Sequence, residues 1–212
     1  EHLETVPIGR EAVEEPMRFP VQLVIRPRTP AHPDYRGLAG RVSSGVISVG
    51  DEVVALPSGG RSTVAGIDIP DGPITHATAG DSVTVLLADE LDAGRGEVLA
   101  HPEQPPQVVT ELDADLCWLA DRPLRSGARV LVKHGTRTVR AIVTELTGAL
   151  DLDTLGHGLP PETLQLNDIG SVRIRLAEPL AVDRYTTDRH TGGFLVIDPG
   201  DGNTLAAGMV TG

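Results

Sequence analysis

The sequence predicts an all-β protein built from two consecutive small β-barrels. Three observations carry this expectation. Apolar and polar residues alternate with period two in short runs. Such runs recur roughly every ten residues, the spacing of sandwiches and barrels. Glycine (24) and proline (17) punctuate the 212 residues, whereas no helix-period stretch extends beyond a few turns.

Taken in order, Val21, Leu23 and Ile25 begin the series after Arg18-Phe19-Pro20 and are expected to share the inner face of a first strand. Glycine often opens the later strands, as in Gly50-Asp51-Glu52-Val53, Gly80-Asp81-Ser82-Val83 and Gly127-Ala128-Arg129-Val130. It supplies a positive φ at little steric cost, and the next residues start the ladder. Val83, Val85 and Leu87 share one face, and Val139, Ala141 and Val143 face away from Arg140, Ile142 and Thr144. Val172, Ile174 and Leu176 alternate with Arg173 and Arg175. A slip of one residue there would drive two guanidinium groups into the core, so the pattern sets the register. The best helical stretch is Pro160-Pro161-Glu162-Thr163-Leu164, where early proline and glutamate suit a short helix start.

The run His101-Pro102-Glu103-Gln104-Pro105-Pro106 cannot continue a central strand and favours an extended connector. A polar, acidic leader holding Glu11, Glu14 and Glu15 precedes the first strand. The expected organisation is a leader over 1–16, one barrel over 17–103 and a second over 104–212. Domains this small bury only about 60–65% of their surface, so packing on a partner or on each other is expected.

Composition excludes several function classes. The net charge of −12 disfavours a broad polyanion-binding surface. The five aromatic residues (Phe19, Tyr35, Trp118, Tyr185 and Phe194) disfavour a stacking platform for single-stranded nucleic acid. Cys117, the sole cysteine, permits no internal disulfide and suits a reducing compartment. No apolar run approaches the roughly 18 residues of a spanning helix. Glu1-His2-Leu3-Glu4-Thr5 lacks the basic start of a signal peptide. No membrane association and a cytoplasmic location are the expectations.

No catalytic constellation emerges. A phosphate loop ends in Gly-Lys-Ser/Thr because its lysine reaches the β- and γ-phosphates. Lys133, the only lysine, stands between Val132 and His134, and the same count excludes an Asn-Lys-x-Asp guanine-reading motif. Asp34-Tyr35-Arg36-Gly37 fits Asp-x-x-Gly, a pattern too short to inform. Cys117 lies in the apolar run Leu116-Cys117-Trp118-Leu119 and reads as a small buried hydrophobe. Asp151, Asp153 and His157 fit no standard metal spacing and read as a solvated turn. Gly40-Arg41-Val42-Ser43-Ser44-Gly45 lacks the glycine spacing of a nucleophile elbow. His134 reads as an exposed hairpin residue. Arg137, Arg140, Arg173, Arg175, Arg184 and Arg189 are either solvated outer faces of strands or a patch for an anionic ligand or partner. Catalytic, metal and cofactor residues are therefore expected to be none, and the six arginines are the candidates for a partner interface.

Several stretches support a narrower reading. Arg18-Phe19-Pro20-Val21-Gln22, the segment Asp34–Gly45 and Val49-Gly50-Asp51-Glu52-Val53-Val54 resemble the second domain of translation-factor-type GTPases. Gly135-Thr136-Arg137-Thr138-Val139, Leu164-Gln165-Leu166-Asn167-Asp168-Ile169-Gly170, Asp183-Arg184-Tyr185 and Thr191–Asp198 resemble the third domain, as does the closing Thr204–Val210. Within that superfamily the chain is most similar to the large, GTP-hydrolysing subunit of bacterial sulfate adenylyltransferase. The departures are Thr29-Pro30-Ala31-His32-Pro33, Gly193 in place of serine and the loop Pro199–Asn203, all positions that bear on partners more than on fold.

The resemblance implies two barrels of the elongation-factor-Tu domain 2 and domain 3 type. It implies an enzyme that makes adenosine 5′-phosphosulfate and pyrophosphate from ATP and sulfate. The adenylyltransferase is a separate catalytic subunit, and the large subunit couples GTP hydrolysis to the synthesis. GTP and Mg2+ would be held by a GTPase domain lying before this stretch, with Glu1-His2-Leu3-Glu4-Thr5-Val6 as its tail. The implied partners are that domain and the catalytic subunit, and the stretch alone would be inactive. The alternative is the pair of tRNA-binding barrels of an elongation factor, which shares the fold.

Overall fold

The computed structural model describes residues 12–27, 34–151, 156 and 158–212. All regular structure among them is strand. The order is β1 (Arg18–Ile25), β2 (Gly37–Arg41), β3 (Val46–Ser48), β4 (Glu52–Leu56), β5 (Gly60–Ile69), β6 (Gly72–Ile74), β7 (His76–Thr78), β8 (Ser82–Leu87) and β9 (Val98–Ala100). Then come β10 (Gln107–Trp118), β11 (Arg129–His134), β12 (Arg137–Ala149), β13 (Ile169–Val182), β14 (Gly193–Ile197) and β15 (Thr204–Val210). The chain divides into two compact units between Pro105 and Pro106.

In the first unit the antiparallel pairings run β4–β9–β1–β2–β8–β5 and return from β5 to β4. Two strands bend to make the closure. β1 pairs with β9 through Arg18–Pro20 and with β2 from Val21; β5 pairs with β4 up to Thr63 and with β8 from Val64. A closed ring leaves no long free edge to template aggregation. β6 extends from β5, and β3 and β7 form a separate ribbon. Phe19, Val21, Ile47, Ile67 and Leu99 form the buried centre. The buried Arg18 guanidinium donates to the carbonyls of Met17 and Gln104 at 2.9 and 2.8 Å, fastening the start of the connector to this unit.

The first strand departs from the expected alternation. The register shifts between Val21 and Leu23, so Gln22 is an extra residue opposite β2. A bulge turns the following side chains over. Leu23 is therefore 59% exposed, and Val24 packs against the core in its place.

The second unit is a closed barrel in the order β10–β13–β12–β11–β14–β15, sealed by pairing of β15 with β10. Leu112, Leu116, Trp118, Val132, Val143, Ile174 and Val196 point inward. Arg173 and Arg175 point out, as the alternation on β13 requires. Trp118 is 1% exposed and its indole Nε1–H donates to the carbonyl of Arg122 at 2.8 Å. Phe194 stands opposite Gly208, where only a residue without a side chain leaves room for the ring. Pro160–Leu164 is not a helix. Leu164 forms a bridge with Leu124, each N–H donating to the other's carbonyl, and its side chain is fully buried. That pairing satisfies backbone groups and buries an apolar side chain, which one helical turn on the surface would not do.

One turn device recurs in both units. Asp51, Asp81 and Asp168 each follow a residue of positive φ, namely Gly50 (95°), Gly80 (102°) and Asn167 (70°). Each carboxylate accepts the backbone N–H three residues earlier, at 2.7–2.8 Å. The pattern ends one strand and aims the next.

Candidate functional site

Of the six arginines expected to face a partner, two are paired with carboxylates of their own barrel. Arg137 pairs with Glu178 at 2.7 Å and Arg173 with Asp113 at 2.9 Å, with Glu145 beside it at 3.6 Å. The Asp113 carboxylate raises the pKa of Arg173 further above its ordinary value. These two arginines are engaged within the barrel wall. Arg184 and Arg189 lie on the Asp183–Thr191 loop, and Arg189 lines a depression of about 590 Å³ with Lys133, Tyr185 and Cys117.

Arg140 and Arg175 do converge, and Arg129 joins them. Strand register places Arg129 opposite Ile142, and Ile142 opposite Arg175, across β11, β12 and β13. One step along, Arg140 stands opposite Leu131. The three guanidinium groups surround a depression of about 560 Å³ floored by Leu131, Ile142 and Pro199. All three are exposed, and among the described residues none joins a hydrogen bond or an ion pair. The reading of the sequence missed Arg129. The signal was present, because alternation through Gly127-Ala128-Arg129-Val130 already turns that side chain outward.

Two residues are not where the sequence placed them. His134 ends a strand at a hairpin, yet it is buried at 5% exposure. Its Nε2 lies 2.7 Å from the Thr191 carbonyl; a carbonyl only accepts, so Nε2 carries the proton. Burial lowers the imidazole pKa below its usual 6.5, against the opposing pull of that hydrogen bond and of Asp183 and Asp188. The Asp183–Thr191 loop folds over the ring and buries it. Asp188 accepts N–H groups of His190 and Thr191, and Thr191 Oγ1 donates to Asp183 at 2.6 Å. Cys117 is half-buried on the outer face of β10, not in the core. Alternation gives the inner positions to Leu116 and Trp118, which leaves the thiol outside.

In the first unit the phenol of Tyr35 donates to Asp68 at 2.9 Å beside a depression of about 930 Å³. Burial, this bond and the Asp68 charge push its pKa up to about 12. Among the described residues no three His, Cys, Asp or Glu side chains gather to hold a metal. Asp153, His157 and Thr29–Pro33 lie outside the described residues.

This pair of strand-built units has the fold of the barrels in translation-factor GTPases. A solved structure of Sup35 complexed with GDP superposes with a TM-score of 0.81 over 94% of this chain and 48% of that one, at 22% identity. Residues 111–211 match the GTP-eEF1A C-terminal domain-like family. The chain is 45% identical over 210 residues to the bifunctional enzyme CysN/CysC of Mycobacterium tuberculosis. It is 43% identical over 214 residues to sulfate adenylyltransferase subunit 1 of Shewanella oneidensis. Across 99% of its length the chain is thus similar to proteins of the sulfate adenylyltransferase subunit 1 kind. It spans 34% and 43% of the length of those two relatives, while 99% of it is matched in each.

Proposed function

We propose that this chain forms the two non-catalytic barrels of the GTP-hydrolysing subunit of a cytoplasmic sulfate adenylyltransferase. In this reading the barrels couple GTP hydrolysis in another domain to synthesis of adenosine 5′-phosphosulfate from ATP and sulfate by a catalytic subunit. The observation that carries it is identity of 43–45% across 99% of the chain to proteins of that family.

The chain's described residues do not fit a GTP or Mg2+ site. Lys133 lies on β11 opposite Thr138, one pair before the hairpin into β12, rather than in a phosphate-cradling loop. In this reading GTP and Mg2+ are held by a domain outside these residues. What the barrels contribute is stiffness. The strands of each closed ring are paired on both sides around a dense apolar centre, and such a body transmits a rotation instead of absorbing it.

The test is reconstitution. The full-length subunit containing this chain, mixed with the catalytic subunit, is expected to support GTP-dependent formation of adenosine 5′-phosphosulfate, while the chain alone gives background GTP turnover. Magnesium-dependent GTP hydrolysis by the chain alone would refute the assignment. Filter binding to tRNA at low salt distinguishes the elongation-factor reading, which predicts retention that falls steeply with added salt.

A further inference from the structure

We propose that the Arg129–Arg140–Arg175 face of the second barrel is the docking surface for the catalytic adenylyltransferase subunit, which meets it with an acidic, aliphatic segment. The inference rests on the reading above and adds the surface and the chemistry that recognises it.

Three cations gather around one depression of this barrel. Three arginines of this barrel find carboxylates, Arg122 with Asp198, Arg137 with Glu178 and Arg173 with Asp113, whereas Arg125, Arg184 and Arg189 join no ion pair among the described residues. The chain carries 30 acidic against 18 basic residues, so carboxylates are not scarce. Arg129, Arg140 and Arg175 also join no ion pair among the described residues, although Glu111 stands opposite Arg175 across β10 and β13; what sets the three apart is that they line one depression together. In an antiparallel sheet, diagonal neighbours stand about 7–8 Å apart, so Arg140 sits at that step from each of the other two. Like charges at that step, about one Debye length, repel, and Glu111 opposite Arg175 offsets this at one end only.

The floor says what kind of anion. Leu131, Ile142 and Pro199 form an apolar surface between the charges, with no aromatic ring on which a base could stack. Three cations around an aliphatic floor do not make a track for a phosphate backbone, and the net charge of −12 repels one. A protein segment fits better. Same-face side chains of an extended chain lie about 6.5–7 Å apart, close to the diagonal step between these arginines. Carboxylates at alternate positions can each take a forked guanidinium contact. An aliphatic side chain beside them covers Ile142.

The experiment titrates the full-length subunit with the catalytic subunit by surface plasmon resonance at low and moderate salt. Wild type is expected to bind, and R140E to weaken affinity about tenfold or more, with a slower association rate and a flatter salt dependence. R129E/R140E/R175E is expected to weaken it further, while R61E, an equal change of charge on the first unit, leaves it unchanged. Melting curves confirm that each variant is folded; should the triple variant fail to fold, R140Q carries the test. Binding of wild type with R140E and R140Q unaffected overturns this surface and leaves the coupling role standing. No binding by wild type overturns both. Retention of tRNA that is lost in R140E overturns it in favour of nucleic acid.

Discussion

Lowering the pH should destabilise the second barrel through His134 in particular. The imidazole is buried, and its single hydrogen bond requires a proton on Nε2 only, so the charged form adds an N–H on Nδ1 within a dry site. Its native pKa therefore lies below the 6.5 of an ordinary histidine. Between that lowered value and about 6.5 the unfolded chain binds a proton that the native barrel does not. Stability then falls as the pH drops, by up to about 1.4 kcal/mol per pH unit over that window, and is unaffected by this group above it. Many carboxylates titrate lower down, so the measurement is a difference. His134→Gln keeps an N–H donor for Thr191 and cannot titrate. Urea unfolding followed by fluorescence of Trp118, the only tryptophan and a core residue of this barrel, isolates the relevant unit. Wild type should lose stability relative to His134→Gln from pH 6.5 downward. Parallel slopes for the two proteins, or a wild type that gains on the variant in acid, would refute the reasoning.

Other perturbations have equally definite outcomes. Gly208→Ala places a methyl group against the Phe194 ring and should cost roughly 1–3 kcal/mol by urea unfolding, as overpacking does. Trp118→Phe leaves the Arg122 carbonyl without its indole donor and should lose about 1–3 kcal/mol in a circular-dichroism melt. Tyr35 contributes stability that is complete below pH 10 and lost as its ionisation near 12 is approached. Asp68→Asn removes the neighbouring charge and should bring that ionisation to lower pH in an ultraviolet titration, and Tyr35→Phe should abolish it.

Much of the scaffold was legible in the chain because its code is local. Alternation at Val172, Ile174 and Leu176 sets which face of β13 is buried whatever lies opposite, since the reverse register would bury Arg173 and Arg175. Gly50, Gly80 and Gly127 do adopt the positive φ that their turns require. The tertiary structure decided what depends on distant partners. A bulge opposite β2 turned Leu23 outward, pairing with Leu124 drew Leu164 out of a helix, and the Asp183–Thr191 loop buried His134. The docking face is of the same kind. Arg129, Arg140 and Arg175 are separated along the chain and meet only when β11, β12 and β13 align in register. Which arginines find a carboxylate, and which are left for a partner, is settled by that alignment, because Coulomb attraction acts through space and not along the sequence.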